Sequence, residues 1–151
     1  MRLNDGFEAS ASALTAQRLR MDIISSNIAN AETTRGKLVN GRFEPYTRKM
    51  AVLEPVRAKF SDVLDSKLAG GAGRTSGVKV SQIMEDRTPP KLVYNPTHPD
   101  ADEDGYVRMP NVDVLKEMVD MIAATRSYEA NVTALNATKS MFAKALEIGR
   151  R

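Results

Sequence analysis

Apolar residues near the two ends of this chain recur at alternating steps of four and three. Phe7, Ala11, Leu14, Met21 and Ile28 form one such row, with Arg18 and Ser25 at its remaining positions. Val114, Met118, Met121, Tyr128, Val132, Leu135, Phe142 and Leu146 form a second, interrupted by Thr125 and Lys139. This spacing places each row along one narrow edge of a helix, the edge that a coiled coil buries against another helix. The first row predicts a helix over about 5–32, capped by Asn4 or Asp5 and ended where Thr33, Thr34 and Gly36 break the pattern. The second predicts a helix from Val114 to Leu146, opened by Asn111 or Asp113 after Pro110 and closed by Gly149. That run holds neither Pro nor Gly and reaches roughly 50 Å at 1.5 Å per residue. It is too long to bury its whole edge against one shorter helix and a small middle, so part of it is expected to meet another chain.

Between the helices the period changes. RFEPYT and KMAVLE carry β-branched and aromatic residues around Asn40, Gly41 and Pro45, and predict short extended runs over 37–54. GVKVSQI and KLVY are two further strand candidates. KFSDVLDSKLAG has a weak helical period through Phe60, Val63, Leu64 and Leu68, and AGGAGRTSG reads as a linker, so 55–77 is expected to be flexible. NPTHPDADEDG is rich in turn residues, and Pro90, Pro96 and Pro99 exclude a long helix there. The expected fold class is α+β: long N- and C-terminal helices pairing as a coiled coil, with a small irregular β-containing middle. The divisions are 1–36, 37–110 and 111–151.

With 151 residues, 42% hydrophobic and 5% aromatic, the chain is the size of one domain packed by aliphatic side chains. It has no Cys, which excludes disulfides and thiolate metal sites. No stretch is long and apolar enough to span a bilayer, and MRLNDGFEASASALTAQRLR does not read as a cleavable secretory signal. The net charge of +3 is unevenly spread. Residues 35–74 hold nine bases against four acids, while 85–105 hold six acids against two bases. The plain reading is a solvated surface. A basic face for nucleic acid is the sharper one, with only Phe43, Tyr46 and Phe60 among the bases for stacking. Complementary contact between subunits is the third.

Candidate chemistry is thin. DADEDG imitates the start of a calcium loop, but the position that needs a bidentate Glu is Asn111. GGAGRTSG lacks the Lys of a phosphate loop, and His98, the sole histidine, has no nucleophile or second ligand in pattern. Glu117, Asp120 and Glu129 read as helix-surface ion-pairing residues rather than acid–base catalysts. No catalytic residue, cofactor, metal or small-molecule substrate is indicated. Two polar clusters remain, one with Asn27 and Asn30 at the end of the first helix, the other with Arg126, Glu129, Asn131 and Asn136 in the second. Asn and Ser are poor interior helix formers. Along a helix edge they specify register and partner through hydrogen bonds, and elsewhere they are ordinary exposed positions.

SSNIANAETTRG at 25–36 resembles the signature of bacterial flagellar axial proteins, the rod, hook and hook-associated subunits, through Asn27, Ile28, Ala29, Asn30, Thr34 and Gly36. Lys37 stands where most members have an aromatic residue, a departure seen mainly in the short rod proteins. NVDVLKEMVDMIAATRSYEANVTALNATKSM at 111–141 is similar to the second helix of that family. GVKV at 77–80, KLVYNP at 91–96 and GYVRMPNVD at 105–113 resemble the hallmark runs of one short rod subunit. The resemblance implies a structural role in the basal-body rod, outside the cytoplasmic membrane, with copies of itself and other rod proteins as partners. It also implies export through the flagellar type III apparatus without a cleavable signal, terminal helices that pair on assembly, and torque passed from motor to hook. Seam positions are then Phe7, Leu14, Met21, Ile28, Met118, Met121, Tyr128, Val132, Leu135, Phe142 and Leu146. Asn27, Asn30, Asn111, Asp113, Arg126, Glu129, Asn131 and Asn136 are candidates for interface specificity. The rival class is a cytosolic basic coiled-coil protein binding nucleic acid through 35–74, which predicts salt-dependent binding.

Overall fold

The computed structural model of the chain describes residues 3–39, 41–56, 64, 68 and 77–149. Most of the 55–77 stretch read as flexible lies outside the described residues. Helix α1 runs Leu3–Ala29 and helix α2 runs Val114–Gly149. Six short strands lie between them: β1 Lys37–Val39, β2 Arg42–Glu44, β3 Lys49–Pro55, β4 Val78–Glu85, β5 Lys91–Tyr94 and β6 Tyr106–Met109. The fold is α+β, with two long terminal helices packed together and a small antiparallel middle.

The helix ends have local causes. Asn4 and Asp5, expected as caps, lie inside the first turn of α1. That helix stops at Ala29, short of the expected end, because Asn30 folds back on it. The Asn30 amide donates to the Ser26 carbonyl at 2.8 Å, and the Thr33 hydroxyl donates to Asn30 Oδ1 at 3.3 Å. Such side-chain bonds compete with continuation of the helix. At the start of α2, Asp113 Oδ1 accepts the N–H groups of Leu115 at 3.0 Å and Lys116 at 3.3 Å. Asp113 is therefore the N-cap.

The strands form three separate two-stranded ladders, β1–β2, β3–β4 and β5–β6. The first pairs Leu38 with Phe43 across a turn through Gly41, and the third pairs Val93 with Val107. Bonds from Asp86 N–H to Arg48 O and from Val56 N–H to Gly77 O bracket β3–β4 and make it antiparallel. In β6 the period of two is visible in burial: Val107 points inward, while Tyr106 and Arg108 face solvent.

The chain divides into two compact units. One comprises 1–19, 52–82 and 124–151, the other 20–51 and 83–123. In the first, Ala16 of α1 and Ala124 of α2 are buried. Ser12 ties α1 to the ladder there, accepting the Val78 N–H at 3.1 Å while donating to the Ala9 carbonyl at 2.8 Å. In the second, Ile23, Ile24, Val107 and Val112 form an apolar core around two buried polar side chains, Asn27 and Glu117. The helices run antiparallel through this unit, since Asn27 meets Glu117 while Arg20, two turns earlier, meets Asp120.

Candidate assembly site: a buried polar clasp and open helix faces

Asn27 is the hub of the second unit. Its amide nitrogen donates to the Lys49 carbonyl at 2.9 Å and to Glu117 Oε2 at 3.0 Å. Its amide oxygen accepts the Lys49 N–H at 3.0 Å and the Tyr46 hydroxyl at 3.0 Å. The side chain thus pairs with both backbone groups of Lys49 as a neighbouring strand would, and docks the start of β3 on α1. Only this orientation of the amide satisfies all four partners. Glu117, equally buried, takes Arg48 Nε at 2.7 Å on its other oxygen. Arg48 in turn approaches Asp86 at 3.6 Å and Asp120 at 3.9 Å. One carboxylate from α2, one guanidinium from the middle segment and one amide from α1 therefore form a single network. A buried ion pair of this kind is strongly destabilised when one partner is removed, because the other charge is left uncompensated.

The rest of the Asn-Ile-Ala-Asn run closes the neighbouring corner. Gly36 donates its N–H to the Glu44 carbonyl at 2.8 Å, and the Tyr46 N–H reaches the Thr33 carbonyl at 3.0 Å. A Cβ on Gly36 would lie 2.7 Å from the Tyr46 backbone nitrogen, so only glycine permits this approach. The Thr34 hydroxyl donates to Asp100 Oδ2 at 2.7 Å, and Arg35 Nε donates to Asp100 Oδ1 at 2.7 Å. Arg35, with Thr34, holds the Asp100 carboxyl below the ordinary carboxylate value. The first acid of the DADEDG run is thus turned toward Arg35 and Thr34. Lys37 likewise pairs with Glu85. Several bases of the 35–49 segment are therefore matched by acids of 85–120 within the unit, so part of the charge asymmetry is satisfied inside one chain.

The seam residues expected from the sequence fall into two groups. On α1, Leu14, Met21 and Ile28 are half-buried and Phe7 is exposed, while the deepest positions are Ala16, Ile23, Ile24 and Asn27, the next face round. On α2, the covered row passes through Glu117, Met121, Ala124, Tyr128, Asn131 and Leu135. It keeps the steps of four and three and shares Met121, Tyr128 and Leu135 with the expected row. Val132 is half-buried, and Met118, Phe142 and Leu146 are exposed in the single chain. Leu115, Val119 and Ile122 open a further apolar side of the same helix, each more than 60% exposed.

The polar candidates are placed as follows. Asn27 is saturated within the chain, and Asn30 and Asp113 terminate helices. Asn131 donates to the Ser127 carbonyl at 2.8 Å. Arg126 and Glu129 form an exposed pair at 3.0 Å. Asn136 is exposed, and Asn111 lines a small cavity of about 210 Å³ with Tyr46, Arg48 and Arg108. Glu117, read from sequence as a helix-surface ion-pairing residue, does pair, with Arg48, but it is buried rather than on the surface, and Arg48 was not singled out. Glu117 stands one position before Met118 of the expected row, on the row that is covered instead. Nothing local marks Arg48, whose role depends on how β3 docks.

Comparison with known proteins shows the family. The flagella basal body rod protein family matches residues 7–36, and the flagellar basal body rod FlgEFG protein C-terminal family matches residues 103–148. The chain is 60% identical to the flagellar basal-body rod protein FlgC of Bacillus subtilis, covering 93% of this chain and 94% of that one. It is 45% identical to the FlgC of Escherichia coli O6:H1 over 99% of this chain and 100% of the other, and 44% identical to that of Borreliella burgdorferi over 98% of each. With similarity of this degree running from end to end, the chain belongs to the flagellar basal-body rod protein FlgC family.

Proposed function

We propose that this chain is a structural subunit of the proximal rod of the bacterial flagellum, built in through its terminal helices and serving mechanical coupling rather than catalysis. The observation that carries this reading is the distribution of apolar residues on α2. One side packs within the chain, yet Leu115, Val119, Ile122 and Leu146 remain open on others. A helix apolar on more than one side is built to be buried on more than one side, and in an isolated chain it is not. The rod identity of the relatives supplies the setting: neighbouring rod subunits and further copies of the chain cover these faces.

In this reading Phe7, Leu14, Met21, Ile28, Met118, Met121, Tyr128, Val132, Leu135, Phe142 and Leu146 form the seams of coiled-coil contacts in the assembled rod. Polar residues of α2, Arg126, Glu129, Asn131 and Asn136, select partners. The functional division is an axial helix with its Asn-Ile-Ala-Asn run over 1–36, a middle over 37–110 and a second axial helix over 111–151. Among the described residues no helix is long and apolar enough to cross a membrane. Secretion through the flagellar type III channel, with the helices pairing after export, fits a chain whose order depends on contacts between its two ends. Quantitative mass spectrometry of purified hook–basal bodies tests the proposal. A fixed small number of copies per particle is expected, and absence from clean particles would overturn it.

A further inference from the structure

Two hydrogen-bonded latches fasten the β3–β4 ladder to α1, one in each compact unit. At one, the Asn27 side chain pairs with both backbone groups of Lys49, at the start of β3. At the other, the Ser12 hydroxyl accepts the N–H of Val78, the first residue of β4. The Gly77 carbonyl beside it accepts the N–H of Val56, just past the end of β3. A Cβ on Gly77 would collide with the Ser12 hydroxyl, so the ladder's backbone comes directly against the helix there. Ser12, Ala16, Ile23 and Asn27 follow steps of four, seven and four. That puts both latches, and the two buried residues between them, on one face of α1.

The spans agree. From Ser12 to Asn27 the helix advances by about 22 Å at 1.5 Å per residue. From Lys49 to Val56 the strand advances by about 23 Å at 3.3 Å per residue. Both latches can therefore close with helix and strand in their regular forms. The helix also lacks strong local support. Ser12, Thr15, Ser25, Ser26 and Asn27 are weak helix formers, and an isolated helix of this length is marginal in water. We propose that the β3–β4 ladder is a splint, holding residues 12–27 of α1 in helical form in the single chain, before any neighbour packs on it. A helix kept in shape in this way loses less conformational freedom when it is later buried in an assembly. The inference goes beyond the rod-subunit reading and stands on contacts within one chain.

Hydrogen exchange of the purified full-length chain, read by mass spectrometry, tests it. Amides of 13–27 should be protected in the isolated chain. Ser12→Ala removes the acceptor for Val78, and Val78→Pro removes the donor at the first position of a strand, where proline is tolerated. Each should speed exchange over 13–19 by about tenfold, the scale of one lost hydrogen bond, and leave the β5–β6 ladder unchanged. Alanine is the better helix former, so propensity by itself predicts slower exchange from Ser12→Ala. Unprotected amides throughout 13–27 in the parent overturn the proposal. So does unchanged or slower exchange in either variant. Loosening by Ser12→Ala without loosening by Val78→Pro would assign the effect to the hydroxyl's bond to Ala9 inside the helix. Equal loss of protection in the β5–β6 ladder also overturns the proposal, because Ser12 would then support the whole fold rather than α1.

Discussion

The Asn27 side chain on α1 donates to the Glu117 carboxylate on α2 at 3.0 Å, joining residues 90 positions apart in a fully buried contact. Neither partner is a hydrophobic seam residue, yet they sit where the two helices meet in their unit. Helices that pack only through aliphatic rows can slide by a turn at little cost. An amide and a carboxylate that must find each other and Arg48 cannot. The clasp is thus suited to fixing register between the chain's two ends.

This gives the first prediction. Arg48→Met leaves the Glu117 carboxylate without its cation and should destabilise the chain by about 3 kcal/mol in urea unfolding, the range for breaking one side of a buried pair. Glu117→Gln should be costly as well, since both of its partners, the Asn27 amide and the Arg48 guanidinium, donate, and one of them would face the new NH2 group. Combining Arg48→Met with Glu117→Leu should recover much of the loss. If Arg48→Met unfolded at the same urea concentration as the parent, the buried pair would not contribute to stability.

Glycine positions give the second. Gly36→Ala forces a Cβ against the backbone of Tyr46, which is held by its own hydrogen bond to Thr33 and cannot yield easily. Gly77 has a φ of 90°, and a Cβ there would collide with the Ser12 hydroxyl. Each Ala substitution should therefore cost on the order of 1–3 kcal/mol. Gly6→Ala, which meets nothing within 4 Å, serves as the control. Thermal unfolding of the three variants side by side distinguishes them.

The third concerns pH. Arg35 and Thr34 lower the Asp100 carboxyl below its ordinary value of 3.8. A depressed folded-state value means that the tether contributes stability above the unfolded value and loses it as pH falls through the folded one. Loop 95–105 should therefore stay anchored at neutral pH and loosen only below the usual carboxylate range. Carbon-detected NMR titration should show Asp100 titrating below its ordinary value, and Arg35→Gln should move it upward. Identical titration of Asp100 in parent and variant would remove the tether from this account.

How much of this was legible in the sequence depended on the range of the interactions. The two long helices were visible because their period repeats over many turns, and the Asp113 cap because capping is local. Strand candidates were placed by β-branched content, and β1 to β5 formed near them, whereas β6 was not among the candidates. Which side of each helix faces inward was not legible. Ile23 and Ile24 are as apolar as Met21 and Ile28, and the covered row is the one whose Asn27 meets Lys49 and Glu117, 22 and 90 residues away. Arg48 carried no signal for the same reason: a guanidinium in a basic segment looks solvated until β3 docks beside Asn27 and Glu117.

The last prediction separates folding from assembly. Leu135 is half-buried on the covered row of α2, whereas Val119 and Ile122 are open. Leu135→Asp should therefore weaken the isolated chain as well as its assembly. Val119→Asp should leave stability within about 0.5 kcal/mol of the parent, as exposed substitutions usually do. In cells, however, it should abolish motility, because the carboxylate would have to be buried unpaired in the subunit contact. Normal urea unfolding together with lost swimming is the signature of an assembly face. A Val119→Asp strain that swims normally would place the subunit contacts of α2 elsewhere, and an equally stable Leu135→Asp chain would show that the covered row adds little to the isolated fold.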